Sequence, residues 1–207
     1  SLLPGSITHF SEVIDEADII VMQAEIPYET IKKIALSAKQ KGKKVLFNPA
    51  PACLIDEELM KAIDILVVNE LEAAFISGID YTDNNLEEIA KTLLKAGTSN
   101  VVITLGSQGV YMKNRKETIQ LPGCKVNAID TIAAGDTFCG ALAVFCAQRE
   151  IDREALSFAN TAAAIAVTRS GAQPSIPTLD EVKHFILENE STLLNLMNHE
   201  KLPETPF

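Results

Sequence analysis

The residues best placed to do chemistry are the run Ala133-Ala134-Gly135-Asp136. Three small residues open an apolar stretch whose patterning predicts a helix over residues 133–148. The first amides of a helix have no partner within it, and small side chains let a ligand approach them. Those N–H groups and the positive helix end favour a phosphate oxygen, above all one that gains charge during transfer. Asp136 falls in the same turn, and a carboxylate there can take a proton from an attacking hydroxyl. The chemistry would be phosphoryl transfer to an alcohol. The alternative is an ordinary helix start with small residues and an acidic first turn.

Other polar residues fall at the ends of apolar runs. Glu25, Asn48, Asn69 and Thr104 each close a stretch that reads as a strand. Asn69 can cap the helix that follows, with Glu72 favourably placed in its first turn. Thr104-Leu105-Gly106-Ser107-Gln108-Gly109 leaves a strand through a glycine-bearing turn, which by itself says only that the chain bends.

These residues need elements to hold them. Strands are expected at 19–24, 44–48, 64–69 and 100–105, alternating with helices at 28–42, 57–62, 70–77 and 85–96. Asp56 is the expected cap of the second helix, and Gly42 and Gly78 the expected stops. Residues 109–121 alternate in shorter segments about a polar centre, which predicts a β-hairpin. Helices are expected over 133–148, 152–168 and 178–190, and a frayed tail over 202–207. Strand–helix alternation implies right-handed crossovers and an α/β fold, a mostly parallel sheet with helices on both faces. Ligands of such sheets sit at the carboxyl ends of the strands.

Composition narrows the function. The 207 residues suit one domain, and 47% apolar with 22% charged residues is ordinary for a globular protein. A net charge of −10 argues against nonspecific nucleic-acid binding, which needs a basic face. It does not exclude a phosphate ligand, since a few local donors and a metal outweigh a distant charge. The four cysteines, Cys53, Cys124, Cys139 and Cys146, form no C-x-x-C pair and read as reduced thiols of a cytoplasmic protein. No run is long enough to span a membrane, and the start lacks the basic and apolar regions of a signal peptide.

The run from Asp130 to Phe138, D-T-I-A-A-G-D-T-F, resembles the second signature of the ribokinase, or phosphofructokinase-B-type, carbohydrate kinases. Asn69-Glu70-Leu71-Glu72 is similar to the N-x-x-E motif of that family, and Thr104 to Gly109 to its nucleotide loop. Asn48-Pro-Ala-Pro-Ala52 and Arg169-Ser-Gly-Ala-Gln-Pro-Ser175 look like its ribokinase branch. The motifs occur in the family's order along nearly the whole chain.

The resemblance implies roles. Asp136 would be the general base that activates the primary hydroxyl of a sugar, with Ala133, Ala134 and Gly135 as the anion hole for the γ-phosphate. Asn69 and Glu72 would organise Mg²⁺ and the phosphates, largely through water. Thr104, Leu105, Gly106, Ser107, Gln108 and Gly109 would bind ATP. Asn160 would flank adenine, although alone it reads equally as a satisfied core amide. Asp130, Ile132, Ala166, Arg169, Gly171 and Ser175 would hold a monovalent cation such as K⁺, mostly through backbone carbonyls. Ser170 stands where ribokinases often carry a basic residue. Glu25 would contact the sugar, or else is a solvated strand-end carboxylate. The implied reaction is ATP-dependent phosphorylation of D-ribose to ribose 5-phosphate. The alternatives are another sugar or nucleoside, or a noncatalytic ATP-binding module.

The family's opening strand, its Gly-Gly signature and its β-sheet lid have no counterpart here, and no Gly-Gly pair occurs in the chain. A truncated ribokinase-like domain without lid is therefore expected. It would keep ATP binding, turn over ribose poorly, and self-associate through an exposed sheet edge.

Overall fold

The computed structural model describes residues 11–199, with side chains as far as Asn189. The expected frayed tail at 202–207 lies outside the described residues. Helix α1 (Ser11–Glu16) leads into β1 (Ile19–Gln23), α2 (Tyr28–Gln40) and β2 (Lys44–Asn48). Then come α3 (Glu57–Ala62), β3 (Ile65–Asn69), α4 (Glu70–Ser77), α5 (Leu86–Ala96) and β4 (Asn100–Thr104). A hairpin of β5 (Val110–Asn114) and β6 (Thr118–Leu121) precedes α6 (Ala134–Cys146), α7 (Arg153–Ala166) and α8 (Leu179–His199).

The strands form one six-stranded sheet in the order β1-β2-β3-β4-β5-β6. The first four are parallel, and β5 and β6 are antiparallel to their neighbours. Neighbours in sequence are thus neighbours in space. Right-handed crossovers taken in one direction put their helices on one side of a sheet. Accordingly α2 to α5 pack with Met22, Val45, Phe47, Leu66, Val68, Val101 and Ile103 on one face. The opposite face presents Leu46, Ile65, Val67, Val102, Val110 and Met112 to α6 and α7. Alternation along each strand separates the two sets.

Local sequence explains the boundaries. Asp56 caps α3 by accepting the Leu59 N–H at 2.9 Å. Gly78 ends α4 in the left-handed conformation, with φ of 71°. Helix α2 buries Ile31, Ala35 and Ala38 at helical spacing, and α5 buries Ile89, Ala90 and Leu93. Most expected elements recur within a residue or two, but the last helix runs on to His199. All four cysteines are free. No helix among the described residues is long and apolar enough to cross a membrane. Among them, β1 forms one edge of the sheet, with Val21 45% exposed.

Candidate active site

The carboxyl ends of β1 to β4 carry Gln23, Asn48, Asn69 and Thr104. Gln23 lies opposite Asn48 in the sheet register, and Asn69 opposite Thr104. Counting back two residues along the strands reaches Val21, Leu46, Val67 and Val102. Three of these belong to the face that α6 and α7 cover, so the polar ends face the start of α6.

That start is unusual. Ala133, the N-cap of α6, has φ of 63°, the one non-glycine in the left-handed region among the described residues. Such a conformation costs an L-residue about 1 kcal/mol and tends to persist where the surroundings hold it in place. The Ala134 N–H donates to the Thr131 carbonyl at 3.3 Å, and the first α-helical bond runs from Thr137 N–H to the Ala133 carbonyl at 2.9 Å. The amides of Gly135 and Asp136 therefore have no acceptor within the helix. No side chain covers them at Gly135, where an added Cβ would meet open space.

Two cavities meet here. The larger, about 330 Å³, is lined by Thr104, Gly106, Ser107, Gly109, Gly123, Cys124, Ala134, Gly135, Asn160 and Ala163 among others. The smaller, about 260 Å³, is lined by Gln23, Asn48, Ala50, Asn69, Glu72, Ala133, Gly135, Asp136 and Cys139, together with Val67 and Thr104. Thr104 and Gly135 border both, so the first turn of α6 divides one cleft into two chambers.

The chamber walls are held tightly. Asn69 Oδ1 accepts the Glu72 N–H at 2.8 Å, and Glu72 Oε2 accepts the Asn69 N–H at 2.9 Å. This is a reciprocal cap on α4. The capping reading of this pair thus holds, and the same two side chains also line the smaller chamber. Burial raises the Glu72 carboxyl above its ordinary value, against the lowering effect of the Asn69 N–H. Burial also pushes the Cys139 thiol up to about 12, with the Asp136 and Glu72 charges adding to the effect. Cys139 is thereby an inert wall residue.

The loop after β4 is set by close backbone approach. A Cβ on Gly109, at φ of 102°, would strike the Leu121 carbonyl, and one on Gly123 would strike that of Ser107. Glycine is required where two backbones lie this close. Leu105 is buried and Gln108 exposed, and neither lines the larger chamber. Leu105 shapes the turn instead, its N–H donating to the Gly109 carbonyl at 2.8 Å. Asn160 is partly buried. Its Nδ2 donates to the Pro122 carbonyl at 3.0 Å while the residue lines the larger chamber.

Asp130 joins the turn before α6 to the loop after α7. Asp130 Oδ1 accepts the Ile132 N–H and Oδ2 the Gly171 N–H, both at 3.0 Å. These bonds hold its carboxyl below the ordinary value. Ser175 is fully buried, and its Oγ donates to the Ala172 carbonyl at 2.6 Å. The Ala166 carbonyl accepts the Arg169 N–H at 3.1 Å, and the Arg169 side chain turns away to Glu181 at 2.6 Å. Glu25 sits in an exposed turn after β1 and lines neither chamber. Gln23, which the sequence reading passed over, occupies the cleft instead. Its position as the last ladder residue of β1 is the signal that could have found it.

A profile of the pfkB family of carbohydrate kinases matches residues 4–179. The chain is 38% identical to a ribokinase of Haemophilus influenzae over 89% of its length and 63% of the relative's. It is 40% identical to a ribokinase of Staphylococcus aureus, over 88% of its length and 60% of the relative's. A deoxyribokinase of Salmonella typhi is 31% identical over 91% of the chain and 62% of that protein. Among solved structures, a ribokinase from Thermotoga maritima superposes with a TM-score of 0.80 at 39% identity, covering 90% of this chain and 61% of that one. The ribokinase of Arabidopsis thaliana, solved with ribose and ATP, gives 0.80 at 30% identity, covering 85% of this chain and 58% of that one. The chain thus spans less than two thirds of the length of each of these proteins. By the extent of the profile match and by these likenesses, it belongs to the pfkB family of carbohydrate kinases.

Proposed function

We propose that the chain supplies the ATP-binding and phosphoryl-transfer centre of a D-ribose kinase that forms D-ribose 5-phosphate. One observation carries this reading. A carboxylate, Asp136, and unpaired helix-start amides stand together where two chambers meet. One chamber is large and mostly apolar, as a nucleotide base needs. The other is smaller and carries the polar side chains Gln23, Asn48, Asn69, Glu72 and Asp136, as a sugar hydroxyl and metal-bound phosphate oxygens need.

In this reading ATP lies in the larger chamber, along Thr104, Gly106, Ser107 and Gly109 and against Asn160. Its γ-phosphate meets the Gly135 and Asp136 amides, held out by the left-handed turn at Ala133. Leu105 and Gln108 serve by keeping the loop's course. Asp136 takes the proton of the ribose primary hydroxyl as the hydroxyl oxygen attacks the γ-phosphorus, and the bond from that phosphorus to the β,γ-bridging oxygen breaks to release ADP. Positioning and electrostatics of this kind supply most of phosphoryl-transfer catalysis.

The residues present fit the expected metals. Glu72 is the carboxylate of the polar chamber nearest Asn69, and the described residues hold no cluster of three acidic, His or Cys side chains. That suits Mg²⁺, which keeps most of its waters and is held by few protein groups. Asn69 and Glu72 would hold it, and it would neutralise phosphate charge. Asp130 with the carbonyls of Ile132, Ala166 and Arg169, and with Gly171 and Ser175, offers the hard oxygen donors that a monovalent cation such as K⁺ takes. A cation there would stiffen the turn that carries Ala133. The four free thiols suit a reducing cytoplasm.

The 31% identity to a deoxyribokinase makes 2-deoxyribose the second sugar to try. The complete gene product should bind ATP by calorimetry and release ADP faster with D-ribose than with 2-deoxyribose or no sugar. ADP release that no sugar accelerates would overturn the proposal.

A further inference from the structure

Gln23 ends β1 and faces the first turn of α6. Its Nε2 donates to Asp136 Oδ1 at 2.5 Å and, more weakly, to Asn48 Oδ1 at 3.4 Å. Asn48 is 8% exposed, and its Nδ2 donates to the Val67 carbonyl at 2.9 Å. A backbone carbonyl can only accept, so Asn48 must turn its amide nitrogen to Val67 and its oxygen to Gln23. Gln23 must then present its NH₂ group, and the Asp136 carboxylate, itself an acceptor, requires the same. Three strands thereby fix one orientation of one amide.

We propose that Gln23 is the positioning residue for Asp136. It occupies Oδ1 and leaves Oδ2 as the oxygen that takes the acceptor's proton. Asp136 is an exposed side chain on the first turn of a helix, and this is its one hydrogen bond to another side chain among the described residues. Without it the carboxylate turns freely about its own bonds. The amide suits the task because it is neutral. It can neither take the proton itself nor cancel the charge that attracts it. Asn48 acts one step further back, by setting the orientation of Gln23.

This inference rests on the kinase reading, and its test separates the two. Gln23→Met keeps the length and removes the donor. Gln23→His returns an N–H at about the same reach. In the complete gene product, with D-ribose, Gln23→Met should lower kcat roughly 10- to 100-fold, because misplaced catalytic groups lose rate on that scale. KM for ATP should stay within about twofold, and Gln23→His should recover most of the loss. In an Asp136→Asn background the Gln23→Met change should cost nothing further, since both act through one group. A purely structural bond predicts a lower thermal midpoint with kcat kept. An unchanged kcat in Gln23→Met, or a full loss added to that of Asp136→Asn, overturns the positioning role alone. No ribose-dependent ADP release from the unsubstituted protein removes the kinase reading, and this role with it.

Discussion

The two faces of the sheet share every strand and differ in what they are built to do. The face under α2 to α5 is closed by apolar side chains, many with no exposure at all, such as Val45, Phe47, Leu66 and Ile89. Its polar work goes into helix ends and surface ion pairs, as where Lys32 reaches Asp56 and Glu58. The face under α6 and α7 buries as well in its middle, at Leu46, Val67 and Leu142, but its carboxyl edge is left open. There stand the left-handed Ala133, the half-buried Glu72 and the exposed Asp136. One face is built for stability, and the other is where the proposed chemistry would lie, with features that stability alone would not select.

Substitutions should separate accordingly. The largest effect is expected from Asp136→Asn, which removes the proposed proton acceptor while keeping shape. It should reduce kcat by about 10²- to 10⁴-fold, the usual worth of general base catalysis. The thermal midpoint should hardly move, since the side chain is exposed. A kcat within tenfold of the unsubstituted protein would break the contrast on the catalytic face.

Leu93→Ala tests the other face. Leu93 is 1% exposed on α5, and a cavity there should cost about 2–5 kcal/mol in urea unfolding. Turnover measured well below the new midpoint should stay within about twofold. A large loss of kcat would show that the crossover helices also shape the cleft.

The smallest effect is expected at Arg169–Glu181, which ties the loop after α7 to α8. The Arg169 guanidinium, then the Thr178 N–H and hydroxyl, hold the Glu181 carboxyl down to about 2 from its ordinary 4.5. The folded value lies below the unfolded one. The pair's stabilisation is therefore present above about pH 4.5 and is lost as pH falls toward 2. Acid unfolding of Glu181→Gln should lack this step, and added salt should shrink it in the unsubstituted protein, because the pair is solvent-exposed. An acid-unfolding curve identical in the two proteins would refute it.

The contrast between the faces also explains what could be read from the chain. Apolar runs and helical spacing identify the strands and helices, because burial on both faces leaves a continuous apolar signal in β2, β3 and β4. The reciprocal cap of Asn69 and Glu72 is legible because both partners lie within one helical turn. Gln23 was missed for the opposite reason. Its partner is distant in sequence, and whether a strand-end side chain meets α6 depends on which face that helix covers. The apolar run 19–24 hid the end of the ladder, and the polar residue that follows it, Glu25, stands two positions beyond Gln23. The left-handed turn at Ala133 has no sequence mark either, since alanine there could as well begin an ordinary helix. Gly109 and Gly123 are visible as glycines, but their mutual crowding exists only once the hairpin returns the chain to its own loop.

The strictly sequential order of the strands has a consequence for how the molecule comes together. Each parallel strand docks beside the one made just before it, so most of the sheet can grow by short-range steps as the chain is synthesised. The contact between Gln23 and Asp136 is different, since it joins residues 113 positions apart. Closing so long a loop comes late, after the intervening units have shortened it. Intermediates on the way can hold a well-formed sheet and yet lack a competent centre, and recovery of turnover during refolding should lag behind recovery of secondary structure.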